Sequence, residues 1–317
     1  MRMIVTGGAG FIGSNLVDRL LREGHEVVAV DSLDTFYDPA VKRANLASTM
    51  SSPNFRLVES DIRDRPAMLD LFKMFSPEAV IHLAARAGVR PSIEQPALYT
   101  EVNVLGTVNL LDAACTLTRK PKFIFASSSS VYGDRPDAPF RETDSVDNPV
   151  SPYAATKKAT ELLAYAYHHL HGLAVTGLRF FTVYGPRNRP DLAIAKFASL
   201  IERGEPVPMF GDGSTRRDYT YVDDTVDGII RAVERCSGYR IYNLGNSSPI
   251  SLLEMIETIG DALGKSVAIQ RLPEQPGDVR QTYADIQRAQ DELDYRPATP
   301  FRDGIAKFIA SRARVGG

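Results

Sequence analysis

The sequence predicts an α/β protein, with a doubly wound parallel sheet followed by a smaller, loop-rich C-terminal domain. Two observations carry this. From residue 2 to about 180, short apolar runs alternate with helical stretches, the order that builds β-α-β units. Past residue 180, the clusters Gly185-Pro186, Gly204-Glu205-Pro206-Val207-Pro208, Gly211-Asp212-Gly213 and Pro273 to Gly277 cut the chain into short elements.

Strands are expected near 2–6, 26–30, 55–58, 79–83, 122–127 and 174–179, with helices between most of them. The first contains Met3-Ile4-Val5 and runs into Thr6-Gly7-Gly8-Ala9-Gly10-Phe11-Ile12-Gly13, after which Ser14 to Leu21 reads as a helix. Strand, glycine turn and helix in that order suit a dinucleotide pyrophosphate, whose charge sits against the free N–H groups and positive dipole end of the helix. Gly7, Gly10 and Gly13 leave room for the close approach. The second strand, Glu26 to Val30, ends in Asp31, where a carboxylate would bond the adenosine ribose hydroxyls. A negative charge there favours NAD over NADP, because a 2′-phosphate would be repelled.

The helix near 99–118 places Val102, Leu105, Val108, Leu111 and Ala114 on one face, which is expected to pack on the sheet. The strand Lys122-Phe123-Ile124-Phe125 then leads through Ala126 into Ser127-Ser128-Ser129-Ser130, hydroxyls at the strand end where such sheets bind ligands. The next helix is signalled by Ser151 at its N-cap and Pro152 at its first position. Tyr153 and Lys157 then share a face. A phenol with a pKa of about 10 is a poor base at neutral pH, but nearby positive charge from Lys157 and an oxidised nicotinamide favours tyrosinate. Tyr153 could then take a proton from an alcohol as hydride leaves its carbon. Further on, Asp223 to Val233 reads as helical and Ile241-Tyr242-Asn243 as extended. The expected division is therefore a Rossmann-type dinucleotide domain over 1–180, with a return around 222–246, and a substrate domain over 181–317.

With 317 residues, 44% of them hydrophobic, the chain has ample material for a core. A formal net charge of −2 with scattered Lys and Arg gives no electrostatic support for nucleic acid or a membrane surface as partner. Cys115 and Cys236, read as two buried thiols, suit a reducing compartment and make neither a disulfide framework nor a metal site. With no signal peptide and no membrane-length apolar run, a cytoplasmic location is expected.

The set Gly7-x-x-Gly10-x-x-Gly13, Asp31, Asp61-Ile62, His82-Leu83-Ala84-Ala85, the serine tract before Val131-Tyr132-Gly133, and Tyr153-x-x-x-Lys157 resembles the extended short-chain dehydrogenase/reductases that act on nucleotide sugars. The resemblance runs from about residue 2 to 309. It implies that Ser128, Tyr153 and Lys157 are catalytic, with Ser129 and Ser130 contributing to the substrate site. It also implies that NAD is held by Gly7, Gly10, Phe11, Ile12, Gly13 and Asp31, with Asp61 and Ile62 flanking the adenine. Leu83, Ala84 and Ala85 would line the ribose and phosphates, Lys157 the nicotinamide ribose, and Asn103 would pack near the site. A homodimer through helices near 99–118 and 153–171 is implied too.

Phe210 to Tyr219 looks like the family segment that holds the uracil end and the diphosphate of the substrate, and Gly277-Asp278-Val279-Arg280 supplies a further arginine. The forked guanidinium groups of Arg217 and Arg280 suit a diphosphate. Arg179-Phe180-Phe181-Thr182-Val183-Tyr184-Gly185-Pro186-Arg187-Asn188-Arg189-Pro190-Asp191, with Asp34 to Arg43, resembles UDP-glucuronate 4-epimerases. By that resemblance Thr182 and Arg189 receive the C6 carboxylate of UDP-glucuronate, and the product is UDP-galacturonate, formed through a 4-keto sugar. A UDP-glucuronate decarboxylase forming UDP-xylose and a UDP-glucose 4-epimerase are the alternatives. A 4,6-dehydratase is disfavoured because the serine tract lacks the Asp-Glu pair of that subgroup, and a non-catalytic NAD-sensing protein because Ser128, Tyr153 and Lys157 are intact.

Overall fold

In a computed structural model of the chain, the described residues are 1–273 and 280–313. Six strands come first: β1 (Arg2–Thr6), β2 (Glu26–Asp31), β3 (Phe55–Glu59), β4 (Ala79–His82), β5 (Lys122–Ser128) and β6 (Val175–Phe180). They are followed by β7 (Thr182–Tyr184), β8 (Val207–Phe210), β9 (Arg216–Tyr221), β10 (Tyr239–Leu244), β11 (Pro249–Ser251) and β12 (Ile269–Leu272). A seven-stranded sheet has the order β10-β6-β5-β4-β1-β2-β3, and every neighbouring pair is parallel. Strand order reverses between β1 and β4, which opens a crevice beyond the carboxyl ends of the strands.

Both faces of this sheet are covered, so its strands are nearly unbroken apolar runs whose side chains alternate between two cores. Met3, Val5, Val27, Ala29, Ile81, Ile124 and Leu178 pack with Leu16, Val17 and Leu20 of the helix Phe11–Arg22 and with Val226, Ile229 and Val233 of the helix Val222–Arg235. On the other face, Ile4, Val28, Val30, Val80, Phe123, Phe125 and Val175 meet Met68, Leu71 and Phe72 of the helix Arg65–Phe75 and Leu110, Leu111 and Ala114 of the helix Gly106–Thr116. Phe72, Phe123 and Phe125 are fully buried, each such side chain contributing about 1.5–3 kcal/mol relative to exposure.

The helix expected over 99–118 is interrupted. A turn over Pro96–Thr100 is followed by a π-helical turn, Glu101–Leu105, and only then by the α-helix Gly106–Thr116. The wider turn shifts the register, so Leu105, placed by periodicity on the packed face, is 49% exposed while Asn103 is buried. Of the two free cysteines Cys236 is buried, whereas Cys115 is only partly covered.

Beyond β6, β7 pairs in parallel with β9, which pairs antiparallel with β11, and β8 pairs with β12. β10 leaves this region and adds itself to β6 at the edge of the main sheet. Ile194, Phe197 and Ile201, Met255, Ile256 and Ile259, and Ile305 and Phe308 extend the first core from the helices Ala193–Glu202, Leu252–Leu263 and Phe301–Ala313. Among the described residues no helix is long and apolar enough to cross a membrane.

Candidate active site

A cavity of about 910 Å³ lies at the carboxyl ends of the parallel strands and extends to the later elements. Its wall brings together every residue expected to act in catalysis or to bind cofactor or substrate: Gly7, Gly10, Phe11, Ile12, Gly13, Asp31, Asp61, Ile62, Leu83, Ala84, Ala85, Ser128, Ser129, Ser130, Tyr153, Lys157, Thr182, Arg189, Arg217 and Arg280. Gly277, Asp278 and Val279 lie outside the described residues.

At one end, the glycines have separate reasons to be glycine. Gly7 has φ +69°, and a Cβ on it would stand 2.8 Å from the Ala84 nitrogen; a Cβ on Gly13 would overlap the Gly7 carbonyl. Gly10 caps the helix Phe11–Arg22 with no side chain of its own, so no capping hydroxyl claims the first-turn N–H groups. Asp31 ends β2 and is buried, accepting hydrogen bonds from Ala9 N at 3.1 Å and Leu33 N at 2.9 Å. The buried Lys42 ammonium lies 3.7 Å from the same carboxylate, a partner not foreseen in the sequence. Asp61 accepts from the backbone and guanidinium of Arg63, which hold its carboxyl below the usual range.

His82 explains how β4 hands the chain to Leu83 and Ala84. Thr107 donates to Asn103 O at 2.5 Å, so its oxygen accepts from His82 Nε2 at 2.9 Å. His82 Nδ1 then accepts from the Thr6 hydroxyl at 2.7 Å, and the Thr6 oxygen accepts from Ala84 N at 3.2 Å. Burial pulls the imidazole pKa down to about 3, with the Lys157 charge as a second cause, so the ring is neutral.

In the middle of the cavity, β5 ends at Ser128. The Ser128 oxygen accepts from Ser130 N at 3.2 Å and from the Ser130 hydroxyl at 2.9 Å, leaving its own proton to donate. The helix Pro152–His171 starts as expected, with Ser151 Oγ accepting from Ala154 N at 3.1 Å. Its first turns bring Lys157 Nζ to 5.9 Å from the Tyr153 ring centre. Lys157 donates to Ala126 O at 2.7 Å, and burial lowers its pKa to about 8. Burial raises the Tyr153 pKa, while the hydrogen bond with Ser128 and the charge of Arg189 pull it down. Asn103 ties this helix to the 83–88 loop: it accepts from Arg86 N at 2.8 Å and donates to Arg86 O and to Thr156 Oγ1, both at 3.0 Å.

Ser127 belongs to a different structure. Its hydroxyl donates to Glu161 at 2.6 Å, and Glu161 takes both Nε and Nη2 of Arg179 at 2.8 Å. Arg179 also donates to the Tyr132 hydroxyl at 2.9 Å, which donates to Asn243 of β10 at 2.7 Å. The charged Arg179 inside an apolar strand is the sequence signal for this buried network.

At the far end, Thr182 begins β7 and Arg189 follows in the next loop. The Arg189 side chain is 17% exposed and its Nε and Nη2 donate to Asp191 at 3.0 and 2.6 Å. Phe36, Arg86, Asn188 and Asp191 also line this end, none of them assigned a role from the sequence. Arg216 N donates to Arg280 O at 3.0 Å, which sets Arg217 and Arg280 on one side of the cavity.

The family model described as GDP-mannose 4,6 dehydratase matches residues 4–308. The chain belongs to this family. It is 43% identical over 307 residues to the UDP-glucuronate 4-epimerase of Thermodesulfobacterium geofontis (strain OPF15), covering 96% of this chain and 94% of the relative. Its structure resembles that of UDP-glucuronic acid 4-epimerase from Bacillus cereus in complex with UDP-glucuronic acid and NAD, with a TM-score of 0.92 at 34% identity over 99% of this chain and 100% of the other. It is also similar to UDP-glucose 4-epimerase from Thermotoga maritima with UDP-glucose, with a TM-score of 0.92 at 33% identity over 100% of both chains. The Rossmann-type sheet and the resemblance to short-chain dehydrogenase/reductases acting on nucleotide sugars thus agree with the relatives.

Proposed function

We propose that this protein is an NAD-dependent UDP-sugar 4-epimerase that converts UDP-glucuronate to UDP-galacturonate. The observation that carries the choice of sugar is Arg189, a largely buried guanidinium in the same cavity as Tyr153, near enough for its charge to act on the phenol. A buried carboxylate needs such a partner, and a neutral sugar does not.

The described residues fit a dinucleotide. A pyrophosphate would lie over the turn of Gly7, Gly10, Phe11, Ile12 and Gly13, where the close packing of Gly7 and Gly13 excludes side chains. Asp31 would take the adenosine ribose, Asp61 and Ile62 the adenine, Leu83 to Ala85 the ribose and phosphates, and Lys157 the nicotinamide ribose. In this division, 1–180 with the return through β10 serves the cofactor and 181–317 the UDP-sugar. Bound NAD supplies a reversible acceptor for the C4 hydride.

Tyr153 takes the proton of the 4-hydroxyl and Ser128 shares it. The Ser128 hydrogen bond and the Arg189 charge favour tyrosinate against the opposing effect of burial, an oxidised nicotinamide would add positive charge beside the phenol, and Lys157, with a pKa of about 8, stays mostly protonated at neutral pH. The resulting 4-keto sugar turns about its diphosphate, which Arg217 and Arg280 hold, and presents its other face. Because it is a β-keto acid, it loses carbon dioxide if the C5–C6 bond aligns with the carbonyl π system. Thr182 and Arg189 keep the carboxylate out of that alignment.

Purified protein with no added NAD, incubated with UDP-glucuronate and followed by NMR, tests the proposal. UDP-galacturonate with no more than a trace of carbon dioxide is the expected result; UDP-xylose as the main product would make the protein a decarboxylase. Faster turnover of UDP-glucose would favour the reading that the Thermotoga likeness supports. A dehydratase reaction is not favoured, since Ser129 and Ser130 stand where that subgroup carries Asp-Glu. Leu105, Leu162 and Tyr165, at 49%, 59% and 53% exposure, support a homodimer through the helices around them, measurable by sedimentation. A cytoplasmic location completes the reading.

A further inference from the structure

A guanidinium offers two hydrogen-bonding edges and two faces. In Arg189 the side edge, Nε and Nη2, is taken by Asp191. Phe36 lies against the group, with the guanidinium carbon 5.1 Å from the ring centre. The Phe36 ring is itself fixed. Arg86 packs on it at 5.4 Å, Asp34 pairs with Arg86 at 3.1 Å, and Asp34 also accepts from Phe36 N at 2.8 Å. Asn103 clamps the Arg86 backbone from both its donor and acceptor sides. The fixings leave the end edge of Arg189, Nη1 with the second proton of Nη2, as the one suited to a second, forked carboxylate.

We propose that Asp191 and Phe36 are positioning residues that aim the end edge of Arg189 at the C6 carboxylate of the uronic acid, and that this aim decides between epimerisation and decarboxylation. The inference rests on the reading above that Arg189 receives that carboxylate. If the grip loosens, the C5–C6 bond can swing parallel to the carbonyl π orbitals of the 4-keto sugar. That bond then breaks, its electron pair forms the C4–C5 double bond of an enolate, the C4 oxygen takes the negative charge, and carbon dioxide leaves. Water returns a proton to C5, giving a UDP-4-keto-pentose. An edge held by Asp191 and a face held by Phe36 oppose this swing by restricting the partner to which the carboxylate is bound.

The test uses the holoenzyme as purified, UDP-glucuronate carbon-13 labelled at C6, and NMR to count UDP-galacturonate, UDP-pentose and labelled carbon dioxide. Asp191→Asn keeps the size and removes the charge; Phe36→Leu removes the ring; Phe36→Tyr restores it. The decarboxylated fraction should rise about threefold to fivefold in Asp191→Asn, the scale of one partly exposed ion pair. It should rise similarly in Phe36→Leu and return to the wild-type value in Phe36→Tyr, with bound NAD and melting temperature unchanged. Should one of the two loosening variants melt early, the other, on a separate segment, decides. Arg189→Ala separates the two ways of failing. If Arg189→Ala shifts the product ratio and neither Asp191→Asn nor Phe36→Leu does, Asp191 and Phe36 are not positioning residues and the inference is overturned. If Arg189→Ala leaves the turnover of UDP-glucuronate and the ratio unchanged, the assignment of Arg189 fails and this inference falls with it. Slower turnover at an unchanged ratio in Asp191→Asn and Phe36→Leu would also overturn it, since a general structural defect has that signature.

Discussion

Replacing His82 with Gln should flatten the acid side of the stability profile. The His82 pKa is lowered by burial from 6.5 to about 3 in the folded chain. Below pH 6.5 the unfolded chain binds a proton at this ring and the folded chain does not, so the unfolded state gains. The stability that depends on a neutral His82 is therefore complete above pH 6.5 and declines as pH falls towards 3. Each pH unit in that window costs about 1.4 kcal/mol, which gives a loss of about 2 kcal/mol between pH 8 and pH 5 and about 5 kcal/mol once the lower pKa is passed. A Gln amide can still donate towards Thr107 and accept from Thr6, and it does not titrate. Equilibrium urea unfolding at pH 8 and pH 5, on both proteins, measures the effect as a difference of differences in which the shared titrating groups cancel. Wild type should lose about 2 kcal/mol more than His82→Gln between the two pH values. An equal loss would mean that the folded chain protonates His82 near its ordinary pKa, and the ordered hydrogen-bond chain from Ala84 to Asn103 would be wrong.

Tyr153→Phe should lower turnover on UDP-glucuronate by roughly 10²- to 10⁴-fold, the usual contribution of a positioned acid–base group, with retained NAD unaltered; near-normal steady-state rates would remove Tyr153 from the proton path. Gly13→Ala places a methyl group against the Gly7 carbonyl, so the purified variant should carry little NAD when the cofactor is released by acid and quantified. Glu161→Gln leaves the buried Arg179 without its charged partner and should cost about 3–5 kcal/mol in urea unfolding, against which a cost below 1 kcal/mol would show the network to be dispensable.

Much of the sheet was legible because a parallel strand buried on both faces must be apolar along its whole length. The six expected strands therefore differ from β1 to β6 by one residue at an end at most, as where β4 stops at His82 because Leu83 N bonds Thr6 O outside the ladder. The placement of the glycine turn, Asp31, Tyr153 and Lys157 on the cavity wall was legible for a related reason, since each is positioned by one local element. The π-helical turn at Glu101–Leu105 was not, because its apolar spacing matches an ordinary helix and only tertiary bonds from Asn103 distinguish it. Ser127 and Ser128 show another limit. Strand alternation says that adjacent hydroxyls diverge, and only the distant Glu161 reveals which of them is spent on structure. Phe36 and Asp191 escaped for want of any periodicity linking positions so far apart in the chain, although folding sets both against Arg189.

The return of β10 to the main sheet carries a lesson for exchanging specificity between relatives. A single crossover after β6 would move the wall containing Thr182 and Arg189 together with β10, and with it Asn243, the residue that closes the buried chain from Glu161 through Arg179 and Tyr132. A chimaera made that way would join one parent's sheet edge to the other parent's acceptor. Grafts that transfer 181–221 and 247–317 as separate blocks, leaving the intervening helix and β10 with their own sheet, would exchange the cavity wall containing Thr182, Arg189, Arg217 and Arg280 while keeping Asn243 with its own Tyr132 and Arg179.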